Sequence, residues 1–224
     1  MSVKNKISAK RILIVDDHPM MRTGLAQLIG NEPDLKVIAE ASTAGQAINL
    51  ATKHRFELAL LDISLPDKNG LELIKDLRSL CPELPILVVS MHDEMVYAER
   101  ALRAGARGYI MKQEGGQKFL TAIRQVLGGQ ICVSDAMSAR ILEVFSGKQG
   151  DQGGSPVRKL SDREFEVFQF IGQGVSNRAI AEQLHLSVKT VEVHRAHIKE
   201  KLGLKTATEL VRYALRWTDS QGQI

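Results

Sequence analysis

Cysteine is close to absent from this chain: Cys81 and Cys132 are the only two in 224 residues. They stand far apart and outside any metal-type spacing, which excludes a disulfide framework and a thiolate metal site. Two reduced thiols in a cytoplasmic protein are expected. Long apolar runs are also missing. None approaches the roughly 18 residues that a membrane span needs, so no membrane partner is expected. Met1 to Lys10 is polar and basic with no apolar stretch behind it, so no secretory signal is expected. Charge of one sign is scarce too. Thirty Lys and Arg against 26 Asp and Glu leave a net +4 that is not gathered in one half. So small an excess does not point to nucleic acid, and any argument for DNA has to be local. What is present is an ordinary globular composition, 44% hydrophobic and 25% charged, in a length that suits one large or two modest domains.

Apolar runs that end in unexpected polar residues carry the first signal. Arg11–Val15 runs into Asp16-Asp17, Leu58–Leu61 into Asp62, Pro85–Val89 into Ser90 and Gly108–Met111 into Lys112. Short apolar runs between amphipathic segments read as buried parallel strands. Candidate strands are 11–15, 35–41, 57–61, 85–89 and 108–111; candidate helices are 18–30, 43–54, 70–80, 94–104 and 116–128. Five β-α repeats imply a five-stranded, doubly wound parallel sheet. Ligands of such sheets bind at the carboxyl edge. A further helix is expected over 134–145, then a Gly/Ser/Pro-rich linker over 146–156. Beyond Leu160 the pattern is helical only, over 161–172, 176–184, 187–202 and 206–217, with Ser161 and Glu164 fitting a capping box and Ser187 a cap. The expected organisation is an α/β domain over 10–130, a connecting helix and linker over 131–158, and an all-α domain over 159–220.

The strand ends bring together groups that can hold a divalent metal and a phosphoryl group. Adjacent carboxylates at Asp16 and Asp17 call for a cation, and Mg²⁺ suits a site of one or two carboxylates, waters and phosphate oxygens. The alternative is that Asp17 caps the helix starting at His18-Pro19. Asp62 can accept a phosphoryl group as an acyl phosphate; otherwise it is a strand-end turn residue. Lys112 can pair with phosphoryl oxygens and Ser90 can donate to them; alone, each is an ordinary surface residue. A phosphatase would want an acid two residues after the nucleophile, where Ser64 stands. A flavin or nucleotide binder would want a Gly-rich or Ser/Thr-rich loop where the chain has Asp16-Asp17-His18-Pro19. The chain is therefore not expected to be an enzyme.

In the C-terminal half the informative stretch is Ser187–Leu202. Projected as a helix, Val191, Ile198 and Leu202 form a narrow apolar stripe. Lys189, Val193, Ala196 and Glu200 lie opposite, with Glu192 and Lys199 on a flank. Such a face suits a major-groove reader: Val193 and Ala196 can meet thymine methyls and Glu192 can accept from a cytosine amino group. Lys189, Thr190, Arg195 and Lys199 can contact phosphates. A short helix and a tight connection precede it, as in a helix-turn-helix. The alternative is an amphipathic helix with a solvated charged face. His194 and His197 are spaced for a metal, but no other ligand is apparent. In the last helix, Leu210, Ala214 and Trp217 define one apolar face and Thr208, Val211 and Leu215 another, which suggests a partner helix, or else full burial.

Two resemblances become specific at this point. Val15-Asp16-Asp17, Leu61-Asp62, Leu65-Pro66-Asp67-Lys68-Asn69-Gly70, Ser90 and Gly105–Lys112 make residues 11–128 similar to the flavodoxin-like receiver domain of two-component response regulators. Leu160–Glu164, Gly174–Glu182, Thr190–His194, Lys201-Leu202 and Glu209–Ala214 resemble the four-helix DNA-binding domain of the LuxR type. Phe165 and Ser161 depart from that pattern, where a charged residue and a Thr are usual. The whole resembles a NarL/FixJ-family response regulator. The resemblance implies that Asp62 takes phosphate from a sensor histidine kinase or a small phosphodonor. It implies Mg²⁺ held by Asp16, Asp17, Asp62 and the backbone carbonyl of Ser64. Ser90 and Tyr109 match the family's switch pair, and Met91 beside Ser90 is expected to slow water attack. A homodimer on two half-sites of double-stranded promoter DNA is implied, with RNA polymerase as a candidate further partner. A DNA-binding regulator that never uses phosphorylation is the alternative.

Overall fold

The computed structural model describes residues 9–145, 156–184 and 186–221. Two compact units divide the chain, 1–146 and 147–224. In the first, strands β1 (Lys10–Val15), β2 (Leu35–Ala41), β3 (Leu58–Leu61), β4 (Ile86–Ser90) and β5 (Gly108–Met111) alternate with helices α1 (Pro19–Gly30), α2 (Ala44–Lys53), α3 (Gly70–Leu80), α4 (Glu94–Ala104) and α5 (Gly116–Leu127). The strands form one parallel sheet in the order β2-β1-β3-β4-β5, the doubly wound sheet expected. β1, β3 and β4 are buried along nearly their whole length because helices cover both faces. Side chains from β1, β3 and β4 meet Leu25 and Ile29 of α1 and Phe119, Leu120, Ile123 and Val126 of α5 in one core.

Register sets up the carboxyl edge. Val15 is the partner of Leu61, and Leu61 of Val88. Asp16 and Asp62, one residue on, therefore stand abreast, with the Asp62 N–H donating to the Val15 carbonyl at 2.8 Å. The Lys112 N–H donates to the Ser90 carbonyl at 2.8 Å. The loop after β3 is pinned at both ends. The Asp67 carboxylate accepts the Ala44 and Gly45 N–H groups at the start of α2, at 2.8 and 2.9 Å. Asn69 caps α3 through the Leu71 N–H at 2.6 Å. Gly70 is required there, because a Cβ would lie 2.5 Å from the Asp62 carbonyl oxygen and from Ile63 Cα.

Helix α6 (Asp135–Phe145) belongs with this unit, whereas the sequence alone placed it in the 131–158 connection. It packs on α4: Arg140 donates to the Met95 carbonyl at 3.1 Å, and Glu94 accepts the Ser134 N–H at 2.8 Å. Ahead of it, Cys132 pairs with the open edge of β5, accepting the Tyr109 N–H at 2.8 Å and donating to the Arg107 carbonyl at 3.0 Å. Both cysteines are free thiols. Of the expected linker, 146–155 lies outside the described residues.

The second unit opens with a 3₁₀ turn at Pro156–Lys159, which the sequence did not indicate and which buries Val157. Helices α7 (Asp162–Gly172), α8 (Asn177–Gln183), α9 (Val188–Leu202) and α10 (Ala207–Gln221) follow. Expected helix ends hold to within a residue, except that α10 runs four residues past 217, since nothing before Gly222 breaks a helix. Ser161, Ser176 and Ser187 cap α7, α8 and α9. Phe165, the residue that departs from the usual charged one, is buried, with Trp217 edge-on to it at 5.5 Å. Such a pair adds about 0.5–1.5 kcal/mol beyond burial.

Glu164 ties this unit together and is itself buried. It completes the capping box by accepting the Ser161 N–H at 2.7 Å, and Lys201 of α9 bonds the same carboxylate at 2.6 Å. Burial pushes its pKa up, but the bonds from Lys201 and Ser161 outweigh this and leave it below the ordinary value of 4.5. A depressed carboxylate stabilises the fold above its unfolded pKa, and this contribution is lost as pH falls through the folded one. Unfolding followed by Trp217 fluorescence, the chain's only tryptophan, should show stability falling as the pH drops below about 4.5. Glu164→Ala should remove that dependence and cost about 0.5–2 kcal/mol at neutral pH.

Candidate functional site

The carboxyl edge of the sheet collects the groups expected there. Asp16 and Asp62 are buried to 2% and 3% exposure, and Ser90 is fully buried. The Lys112 ammonium reaches both carboxylates, 2.7 Å from Asp16 Oδ2 and 2.7 Å from Asp62 Oδ2. Asp17 is half-buried beside them. His18, which sequence reasoning read only as a helix start, belongs to the cluster: its Nδ1 lies 2.6 Å from Asp17 Oδ1 and 3.3 Å from Asp16 Oδ1. Asp17 does not cap α1; His18 occupies the cap position, with no side-chain cap bond. Arg22 holds the turn from below by donating to the Asp16 carbonyl at 2.7 Å.

One ammonium against three carboxylates leaves the pocket short of positive charge. Burial pushes the Asp62 pKa up, Lys112 pulls it back and Asp16 raises it again; the balance is upward. Burial alone would lower the Lys112 pKa, but its bonds to Asp16 and Asp62 outweigh this and raise it, so it stays an ammonium. Asp16 Oδ2 and Asp17 Oδ1 are buried and have ionic neighbours without an aligned hydrogen bond. Ligand atoms of Asp16, Asp17, His18 and Asp62 lie within 4.8 Å of one another, the one such group among the described residues. Its oxygen-rich donor set fits a small hard dication. Among the described residues His194 and His197 join no group of metal-ligating side chains; Glu164 Oε1 lies 3.8 Å from His197 Nδ1.

The remaining groups line the rim. Ser64 donates its N–H to Asp62 Oδ1 at 3.2 Å. Ser90 Oγ accepts the His92 N–H at 3.1 Å, and the hydroxyl of Tyr109, whose ring is buried, donates to the His92 carbonyl at 2.7 Å. Burial raises the Tyr109 pKa far above its ordinary value, so the phenol stays protonated. Met91 is exposed beside Ser90. His92 is the residue that sequence reasoning missed. Its Nε2 and Ser64 Oγ share a hydrogen bond at 2.9 Å, and its ring stacks on Tyr97 with centroids 4.5 Å apart. Nothing in its sequence position signals this beyond its standing two residues after Ser90.

In the second unit, Val191 and Ile198 of α9 are buried and Leu202 half-buried, so the expected apolar stripe faces inward. Lys189, Glu192, Val193 and Ala196 are exposed; Arg195 and Lys199 are half-buried. Glu192, Arg195, Ala196 and Lys199 line one hollow together with Ala207 and Leu210 of α10. Thr190 turns its hydroxyl to Ser187 at 2.7 Å. In α10, Leu210 and Ala214 are fully buried, while Thr208 and Leu215 are exposed and Val211 half-buried. The wide apolar arc thus splits into a core face and an outward face. No helix among the described residues is long and apolar enough to cross a membrane.

Comparison with known proteins agrees with this geometry. Residues 12–124 match the response regulator receiver domain, and 158–214 match the bacterial regulatory proteins of the luxR family. The oxygen regulatory protein NreC of Staphylococcus haemolyticus (strain JCSC1435) is 36% identical over 210 residues, covering 92% of this chain and 97% of that protein. A LuxR-family two-component response regulator from Aurantimonas sp. SI85-9A1 superposes with a TM-score of 0.57 at 33% identity, over 62% of this chain and 99% of that one. RcsB from Salmonella enterica serovar Typhimurium, bound to promoter P1flhDC with the phosphomimetic BeF₃⁻, has the same fold, with a TM-score of 0.65 at 23% identity over 92% of this chain and 98% of that one. The chain belongs to the NarL/FixJ-type response regulators, transcription regulators that join a receiver domain to a LuxR-type DNA-binding domain.

Proposed function

We propose that Asp62 is the phosphoacceptor of this regulator, and that its phosphorylation controls dimerisation and promoter binding. The observation that carries the reading is Lys112, held 2.7 Å from both Asp62 and Asp16 at a carboxylate-rich edge. A sensor histidine kinase or a small phosphodonor supplies the phosphoryl group. An Asp62 oxygen forms the new bond to phosphorus as the bond to the donor breaks. Transfer of this kind needs positioning and charge neutralisation more than a base. Lys112 pairs with the phosphoryl oxygens, and the Ser90 hydroxyl donates to one of them. Asp16, Asp17, Asp62 and the Ser64 carbonyl would hold Mg²⁺, which when bound supplies the positive charge that the pocket lacks. Ser90 and Tyr109 then act as the switch pair, biasing a two-state receiver.

On the output side, Lys189, Thr190, Arg195 and Lys199 contact phosphates, and Glu192, Val193 and Ala196 meet base edges. Thr208, Val211 and Leu215 form the contact between two copies. A dimer sets two α9 helices in successive major grooves, about 34–36 Å apart.

Two outcomes test this. Asp62→Asn should abolish Mg²⁺-dependent, hydroxylamine-labile labelling by a phosphodonor, and labelling that persists would place the acceptor elsewhere. Glu192→Ala should relax base preference at one position of each half-site by about 1–3 kcal/mol in a selection from random DNA; an unchanged preference would remove Glu192 from the readout.

A further inference from the structure

At the amino edge of the sheet, opposite Asp62, basic side chains gather around one open hollow of about 1050 Å³. Its walls come from the connections α2–β3, α3–β4 and α4–β5, closed by Lys10 of β1 and Leu127 of α5. Of its cations, Lys10 is matched by Glu57 at 2.6 Å. Lys53, Arg55, Arg78 and Arg107 then face one remaining carboxylate, Glu83. Four cations against one carboxylate leave an excess of three, most of the net +4 that the whole chain carries. Parallel sheets ordinarily bind ligands at the other edge, so the fold gives no reason for this concentration.

Two of the four cations have a local reason to be there. Lys53 and Arg78 stand in the last turns of α2 and α3, where positive charge offsets the helix dipole. Arg78 is also held in place: it donates to the Pro82 carbonyl, and its stem lies against Gly105, where a Cβ would come within 2.8 Å of Arg78 Cγ. Arg55 and Arg107 have no such reason. Both lie outside the helices, both are exposed, and neither side chain has a hydrogen-bond or ion-pair partner among the described residues. The backbone of Arg107 is nonetheless pinned, its N–H donating to the Ile86 carbonyl at 2.8 Å and its carbonyl accepting the Cys132 N–H at 3.0 Å. Beside Arg55, the exposed ring of His54 meets half-buried Phe56 edge-on, with centroids 6.2 Å apart. Arginine forks match phosphate oxygens in pairs, and an aromatic wall takes a nucleobase by stacking. We propose that this hollow is a binding site for a nucleoside polyphosphate, with Arg55 and Arg107 on the phosphate oxygens, Arg78 as a fixed charge behind them, and the His54–Phe56 pair against the base. The volume suits such a ligand, since small-molecule sites run to about 300–1,000 Å³. An inorganic anion would use the charges and leave the aromatic pair idle. The site lies at the far edge from Asp62 and stands whether or not Asp62 is the phosphoacceptor.

Calorimetric titration of the full chain with ATP, and separately with pyrophosphate, tests this. EDTA keeps Mg²⁺ from drawing either probe to the carboxylates of Asp16, Asp17 and Asp62, and salt at about 0.15 M suppresses diffuse attraction. ATP should bind one per chain and more tightly than pyrophosphate. Arg55→Ser and Arg107→Ser, changes at exposed positions, should each weaken both probes by about tenfold, the loss of one charge-assisted hydrogen bond. His54→Ala should weaken ATP and leave pyrophosphate as it was. Lys36→Ser removes an exposed charge of the same sign outside the hollow and should change neither. No binding of ATP would overturn the site. Equal losses from Lys36→Ser and Arg55→Ser would overturn it too, since attraction would then follow net charge alone. Pyrophosphate binding as tightly as ATP, or His54→Ala without effect on ATP, would overturn the nucleoside as ligand.

Discussion

The receiver unit depends on one buried ammonium. Lys112 is 6% exposed and lies 2.7 Å from both Asp16 and Asp62, which are equally withdrawn from water. Burying a carboxylate costs several kcal/mol unless it is paired, and two side by side repel each other as well. Parallel register brings that problem about: β1 and β3 pair Val15 with Leu61, so their next residues have to stand together. β5 supplies the remedy from the far side of β4, across one intervening strand. The arrangement is incompletely neutralised, since His18 is the one basic side chain among the described residues within ion-pair distance of Asp17. A site with one permanent cation for three carboxylates gains from a dication. With that in place, a phosphoryl group can compete for Lys112 without leaving Asp16 unpaired. On the function proposed above, the shortage of charge and the capacity to accept phosphate are one property.

Much of this was legible in the sequence, for a reason particular to the fold. Buried parallel strands must be apolar, so a polar residue at a strand end is conspicuous; Asp16, Asp62, Ser90 and Lys112 stand out against Ile14, Leu60, Val88 and Ile110. Helix starts were legible because capping is local: Ser161 and Glu164 sit three apart and bond each other's backbone. Contacts between distant loops leave no such trace. Ser64 and His92 are 28 residues apart, and each looks like an ordinary loop residue. The docking of α6 on α4 was invisible for the same reason, since its hydrogen bonds run from side chains to distant backbone, Arg140 to the Met95 carbonyl and Glu94 to the Ser134 N–H. Any residue can offer a carbonyl. Sequence patterns report burial and local bonding well, and pairings across the fold hardly at all.

The second unit shows how α9 gets a fixed pose from few contacts. Its inward stripe is narrow, with Val191 and Ile198 fully buried and Leu202 half-buried. A helix seated on so few side chains could rock. Glu164 restrains it: Lys201 bonds its carboxylate at 2.6 Å near the end of α9, while the same side chain closes the cap of α7. Helix α7 is in turn held against α10, where any side chain at Gly172 would strike Thr218 and the Ala214 backbone. Glu164 thus converts the fixed position of α7 into a fixed pose of α9.

That rigidity bears on where signalling can act. A clamped α9 offers the same outward face, Lys189, Glu192, Val193 and Ala196, whether or not Asp62 carries phosphate. On the function proposed above, phosphorylation has little to gain by reshaping α9 and much to gain by changing how many copies bind at once. Two copies on linked half-sites bind more tightly through effective concentration, with no new contact to DNA. The residues of α10 left outside the core, Thr208 and Leu215 with half-buried Val211, are separate from Leu210 and Ala214, which hold the unit together. Pairing through that outer face would therefore leave the clamp on α9 intact. An output of fixed shape, governed by the number of copies, is the division of labour that these contacts favour.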